Sequence, residues 1–143
     1  MVWSEVLKSH KSDDWSTPIA FYDSLDLEFS FDFDPCPLKS DSKIALFEDW
    51  IGRVFCNPPY SNIYNFIEKG LIEIKKGNSK LIVYLLPSRT GSKWFHELVI
   101  KHNGEVRFIR GRLRFGNGKN SAPFDSIVVI FRGNLHEKKS FLL

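Results

Sequence analysis

The chain has 143 residues, 43% of them apolar and 26% charged, which is the size and composition of one globular domain that buries a core of its own. Its formal charge of +3 excludes an acidic DNA-mimicking decoy and suits a nucleic-acid partner. Two cysteines, no charged-then-apolar leader and no apolar run of about eighteen residues predict a protein of the reducing cytoplasm, neither secreted nor membrane-inserted. Four histidines and two cysteines without ligand spacing predict no metal site.

Residues 1–12 read as an N-terminal arm, 13–135 as one domain and 136–143 as a C-terminal tail. Thr17-Pro18 opens a helix that carries Ile19, Phe21, Tyr22 and Leu25, with Thr17 as N-cap and Pro18 in the first helical position. Alternation in "FSFDFD" predicts a strand over Phe29 to Asp34, followed by an irregular segment over 36–50. A second strand, Arg53 to Cys56, is stopped by Pro58. Ile63, Phe66, Ile67, Leu71 and Ile74 then recur at helical steps between Asn62 and Lys76, and Gly77 closes the helix. "KLIVYLLP" has the continuous apolarity of a strand buried on both faces. A helix around Ser92 to His102 ends at Gly104, and "EVRFIRG" and "SIVVIFRG" are further strands separated by the polar piece Gly116 to Ser121. Strand and helix alternate, so the expected fold is α/β, with a mostly parallel sheet, an antiparallel pair at its edge and flanking helices.

The chemistry concentrates in "VFCNPPYS" (54–61). Asn57 follows a strand at its carboxyl end, where open α/β sheets bind ligands. Pro58 and Pro59 fix their own φ and hold the Asn57 side chain and the Asn57 and Pro58 carbonyls as a rigid acceptor cluster. Such a cluster suits a planar amine with two hydrogens to give, whether the exocyclic amine of adenine or a glutamine amide. Holding both hydrogens localises the nitrogen lone pair for attack on an activated methyl group. Tyr60 would stack on an extracted base. The bland alternative is a stiff turn between strand and helix, with Tyr60 packed in the core.

These stretches, together with "DWSTP" (14–18), "FDFDPCP" (31–37), "DWIGRVFCNPPYS" (49–61), "LLPSRTGSKWFHELV" (85–99) and "VRFIRGRLRFGNGKNSAPFDSIVVIF" (106–131), resemble the phage-type DNA N6-adenine methyltransferases, the phage Dam family. The resemblance implies an abbreviated class I, Rossmann-like methyltransferase fold, S-adenosylmethionine as methyl donor, and duplex DNA with the target adenine flipped out as substrate. It implies catalytic roles for Asn57, Pro58, Pro59 and Tyr60, and donor contacts from Trp15, Thr17, Pro18, Asp34, Pro35, Cys36, Asp49, Trp50 and Asn57. The Asp34 carboxylate would accept from the donor's ammonium, while Asp49 and Trp50 would meet its adenine. Two departures stand out: "DPCP" contains no glycine, and only about twenty residues separate Asp34 from Asn57.

Arg89, Lys93, Arg107, Arg110, Arg112, Arg114 and Lys119 gather in the second half, interleaved with aromatics, and are the expected contacts to the DNA backbone. Target recognition must come from the loops around 86–95 and 110–125 or from a second subunit, so a homodimer is a further expectation. An RNA or protein-glutamine methyltransferase, or an inactive DNA-binding module of the same fold, are the competing readings.

Overall fold

The computed structural model describes residues 16–37, 41–115 and 122–133, so the expected arm and tail, Trp15 and Lys119 lie outside the described residues. The elements run α1 (Ile19–Phe29), α2 (Ser42–Ala45), β1 (Gly52–Cys56), a 3-10 turn (Tyr60–Asn62), α3 (Ile63–Lys75), β2 (Ser79–Pro87), α4 (Phe95–Ile100, with π-helical hydrogen bonding), β3 (Glu105–Phe108) and β4 (Ser126–Arg132). Among the described residues no helix is long and apolar enough to cross a membrane.

The strands form one sheet in the order β1-β2-β4-β3. β1 and β2 are parallel, and β4 runs antiparallel to both β2 and β3. The antiparallel edge pair is therefore present. The sheet is nevertheless mixed rather than mostly parallel, since one of its three pairings is parallel and two are antiparallel. Burial explains the order. Ser126 to Phe131 is buried on both faces, which requires an interior place, and β4 pairs over seven residues with β2, from Leu81↔Arg132 to Pro87↔Ser126. The short β3, with Glu105 and Phe108 exposed, takes the edge.

The expected strand over Phe29 to Asp34 shrinks to a single parallel bridge, Phe33↔Val54. α1 continues through Phe29, Ser30 turns the chain at φ 52°, and the Asp26 carboxylate captures the Phe31 N–H at 2.8 Å. Only then does the backbone join β1, with Asp32 N–H donating to Arg53 O (2.7 Å) and Phe55 N–H to Phe33 O (3.0 Å).

Helices cover both faces. On one, α3 lies close against β2, where the Tyr84 hydroxyl donates to Phe66 O at 2.8 Å. Gly70 permits this approach, because a Cβ there would meet the Tyr84 hydroxyl and sit 2.8 Å from Ile82 Cδ1. On the other face, α1 sets Tyr22 edge-on to Phe55 (5.1 Å) and reaches β3 through Glu28, which takes both terminal nitrogens of Arg107 at 2.7 Å.

The register decides where function can sit. The carboxyl ends of β1, β2 and β3 and the start of β4 share one rim, so the loops that follow Cys56, Pro87 and Phe108 converge there. At the opposite rim the buried Glu73 accepts from Trp50 N–H (2.6 Å) and Asn78 Nδ2 (3.2 Å), with Lys69 and Lys76 at 3.4 and 3.3 Å.

Candidate active site

β1 ends at Cys56 because the next residues cannot extend it. Pro58 is buried, Pro59 holds φ −61°, and Asn62 N–H donates to Pro59 O (2.9 Å), turning the chain into α3. Asn57 is left half-buried on the rim, and its Nδ2 donates to Thr17 Oγ1 at 3.0 Å. That bond joins residues forty positions apart. It also overturns the expected helix start. Pro18, not Thr17, is the residue flanking α1, and no side chain caps the helix, so the Thr17 hydroxyl serves the acceptor loop instead.

Asp34 comes to the same rim, carried by the Phe33 bridge to β1. Its Oδ1 accepts the Cys36 N–H at 2.8 Å across the buried Pro35. Burial pushes the Asp34 carboxyl up to about 6, against the opposing pull of the Cys36 N–H, and among the described residues no positive charge offsets it. Cys36 and Cys56 are free thiols. Burial, then the Cys36 thiol beside it, holds Cys56 well above the usual thiol range, which fits inert core packing rather than nucleophilic chemistry.

Asp49 and Trp50 do not join this group. Both precede β1, at the rim opposite Asn57, and a five-residue strand spans roughly 16 Å. Trp50 is fully buried, stacked on Phe66 (6.2 Å), with its indole N–H given to Ala45 O at 2.9 Å and its carbonyl taken by Ser79. Asp49 points to Lys76, 3.8 Å away. Their expected donor contacts are therefore withdrawn: one ring has no face left to offer, and both residues are at the wrong end of the strand.

Tyr60 is 5% exposed, set edge-on to Phe124 (5.5 Å), which in turn lies 6.0 Å from Phe115. Burial pushes its hydroxyl far above the ordinary phenol range, opposed in part by the charge of Arg89, so it stays neutral. The apolar wall around Tyr60 therefore includes Phe115 and Phe124, which the sequence placed near the site only through their membership of the long 106–131 stretch.

Of the basic residues, Arg89 directly follows β2 on the active rim, and Arg110, Arg112 and Arg114 follow β3 there; all four are exposed. Lys93 lies over the Tyr64 ring (5.5 Å), beside the acceptor loop. Arg112 is 3.8 Å from Asp125. Arg107 is the exception. Glu28 grips it bidentately, Glu105 holds its Nε at 3.1 Å, and Phe29 lies under it at 5.2 Å, so its charge is already neutralised and its expected phosphate contact is withdrawn.

The rim thus carries a rigid amide and carbonyl acceptor group, a half-buried carboxylate with no cation beside it among the described residues, an aromatic wall and a fringe of exposed arginines. No curated protein matches the chain. The family model described as "DNA N-6-adenine-methyltransferase (Dam)" matches residues 4–141, nearly its whole length. The chain belongs to that family, and its activity is methylation of adenine N6 in DNA.

Proposed function

We propose that S-adenosylmethionine is the methyl donor, that the fold is an abbreviated class I, Rossmann-like one, and that the target adenine is flipped out of duplex DNA into the rim between Asn57 and Tyr60. The observation that carries this reading is the pairing of two complementary features on one rim: the Asn57-Pro58-Pro59 acceptor loop and, beside it, the half-buried Asp34 carboxylate. A carboxylate raised by desolvation, with no cation facing it among the described residues, is a fitting receptor for an ammonium group.

Asp34, supported by the Cys36 N–H and by Pro35, would hold the donor's ammonium, with Pro18 beside the Thr17–Asn57 link. When bound, the donor supplies an electrophilic methyl group on a sulfonium. Asn57 Oδ1 and the Pro58 carbonyl would accept the two hydrogens of N6 and draw its lone pair out of the ring; the nitrogen would take the methyl as the methyl's bond to the sulfonium sulfur breaks, leaving a neutral thioether, and would give up one proton to water. These acceptors are fixed before substrate arrives, so their stabilisation falls on the transition state without reorganisation. Tyr60 is packed in the core rather than open to stack on a base, so the partly exposed Phe124, which it supports edge-on, furnishes the apolar wall for the base. Arg89, Lys93, Arg110, Arg112 and Arg114 surround the opening and contact phosphates, which position the duplex without reading its sequence. The loops that follow β2 and β3 read the target, with or without a second copy of the chain, and the host cytoplasm is the place of action.

Calorimetric titration with S-adenosylmethionine tests the donor assignment. Binding lost in Asp34→Asn and retained in Asn57→Ala is the expected pattern. Undiminished binding by Asp34→Asn removes the ammonium site from this rim.

A further inference from the structure

We infer that Thr17 is a positioning residue for methyl transfer: it orients the Asn57 carboxamide, and it is neither a cap for α1 nor a ligand of the donor. The inference rests on the reading of Asn57 as the acceptor of the target amine. The terminal torsion of an asparagine side chain is broad, so the backbone and the prolines fix where the carboxamide begins but not the plane in which it lies. The bond from Nδ2 to Thr17 Oγ1, at 3.0 Å, supplies that missing constraint and leaves Oδ1 as the acceptor end of the group.

The helix start leaves the hydroxyl for this contact. The residue flanking α1 is Pro18, which carries no polar side chain, and Thr17 stands one residue outside the capping position, so its hydroxyl is given to Asn57 across forty residues. The support behind Thr17 is rigid. Pro18 holds φ −59°, Tyr22 N–H bonds back to Pro18 O at 2.9 Å, and α1 is clamped on the sheet by Tyr22 against Phe55 and by Glu28 on Arg107. The hydroxyl is therefore a fixed post rather than a mobile partner.

Thr17→Val keeps the shape of the side chain and removes the hydroxyl. Single-turnover methylation of duplex DNA at saturating donor should slow by roughly tenfold to a hundredfold, the loss expected when a reacting group is misaligned. The donor Kd should stay within about twofold, and the denaturant midpoint should fall only by the small amount expected for one lost hydrogen bond. Thr17→Ser, which restores the hydroxyl, should recover the rate to within about threefold. A full rate in Thr17→Val overturns the inference, as does a slowed rate that Thr17→Ser fails to recover. A loss confined to donor affinity makes Thr17 a donor ligand and overturns it equally; a lowered midpoint with an unchanged rate makes the bond to Asn57 purely structural and overturns it as well. Asn57→Ala measured in parallel separates the two levels: if it keeps turnover, the reading of Asn57 itself has failed, whatever Thr17 does.

Discussion

Replacing Asp34 by asparagine should stabilise the free protein while abolishing donor binding. The carboxyl rises from an ordinary 3.8 to about 6 because burial disfavours its charge, against the opposing Cys36 N–H. The folded state therefore binds more protons than the unfolded state between pH 4 and 6, and stability falls as pH rises through that window. At 1.36 kcal/mol for each tenfold change in proton affinity, the full penalty above pH 6 is about 3 kcal/mol. Asparagine keeps an oxygen for the Cys36 N–H and carries no charge, so the variant escapes the penalty. Urea unfolding of both proteins from pH 4 to 8 should show equal stability near pH 4 and an advantage for Asp34→Asn growing to about 3 kcal/mol at pH 8. Taking the difference between the two proteins cancels every other titrating group. A variant that is less stable at pH 8, or a difference that does not change with pH, would refute the claim that a half-buried carboxylate raised by desolvation waits on this rim.

Gly70→Ala should destabilise by about 2–3 kcal/mol in urea unfolding, because its Cβ drives into the Tyr84 hydroxyl and Ile82, and adding Tyr84→Phe should return part of the loss. Glu73→Leu should cost about 3 kcal/mol, since the Trp50 N–H and Asn78 lose their acceptor and Lys69 and Lys76 their partner. Burial alone would raise Glu73, yet the Trp50 N–H, Asn78, Lys76 and Lys69 together hold it below the ordinary value; its stabilisation is present above the unfolded value and is lost as pH falls through the folded one, opposite in sign to Asp34. In DNA binding measured against salt, Arg89→Ala and Arg110→Ala should each lower the salt slope by about 1, whereas Arg107→Ala should leave the slope unchanged and reduce stability.

The acceptor loop was legible in the sequence because its determinants are local: a strand, then two prolines that no regular element tolerates. The interior place of β4 was nearly so, since "SIVVIF" is apolar throughout, but its insertion between β2 and β3 depends on pairings across forty residues that periodicity does not encode. "FSFDFD" misled because Asp26 competes for the Phe31 N–H and the helix takes Phe29, a local contest that alternation hides. Asp49 and Trp50 looked like donor contacts by their place before a strand; which rim that place faces is set by strand direction, and the carboxylate that takes the Trp50 N–H, Glu73, lies 23 residues away. The Thr17–Asn57 bond had no local signal at all, since Thr17 satisfied the pattern of a helix cap.

The central claim is that the Asn57 loop activates adenine N6 for methyl transfer. It is tested most directly by incubating wild-type protein and Asn57→Ala with isotopically labelled S-adenosylmethionine and mixed-sequence duplex DNA, then digesting to nucleosides. Labelled N6-methyldeoxyadenosine from the wild type, with a drop of at least a thousandfold (about 4 kcal/mol) in Asn57→Ala and unchanged donor affinity, is the predicted result. Wild-type protein that yields no N6-methyldeoxyadenosine, or Asn57→Ala that yields as much as the wild type, would contradict it.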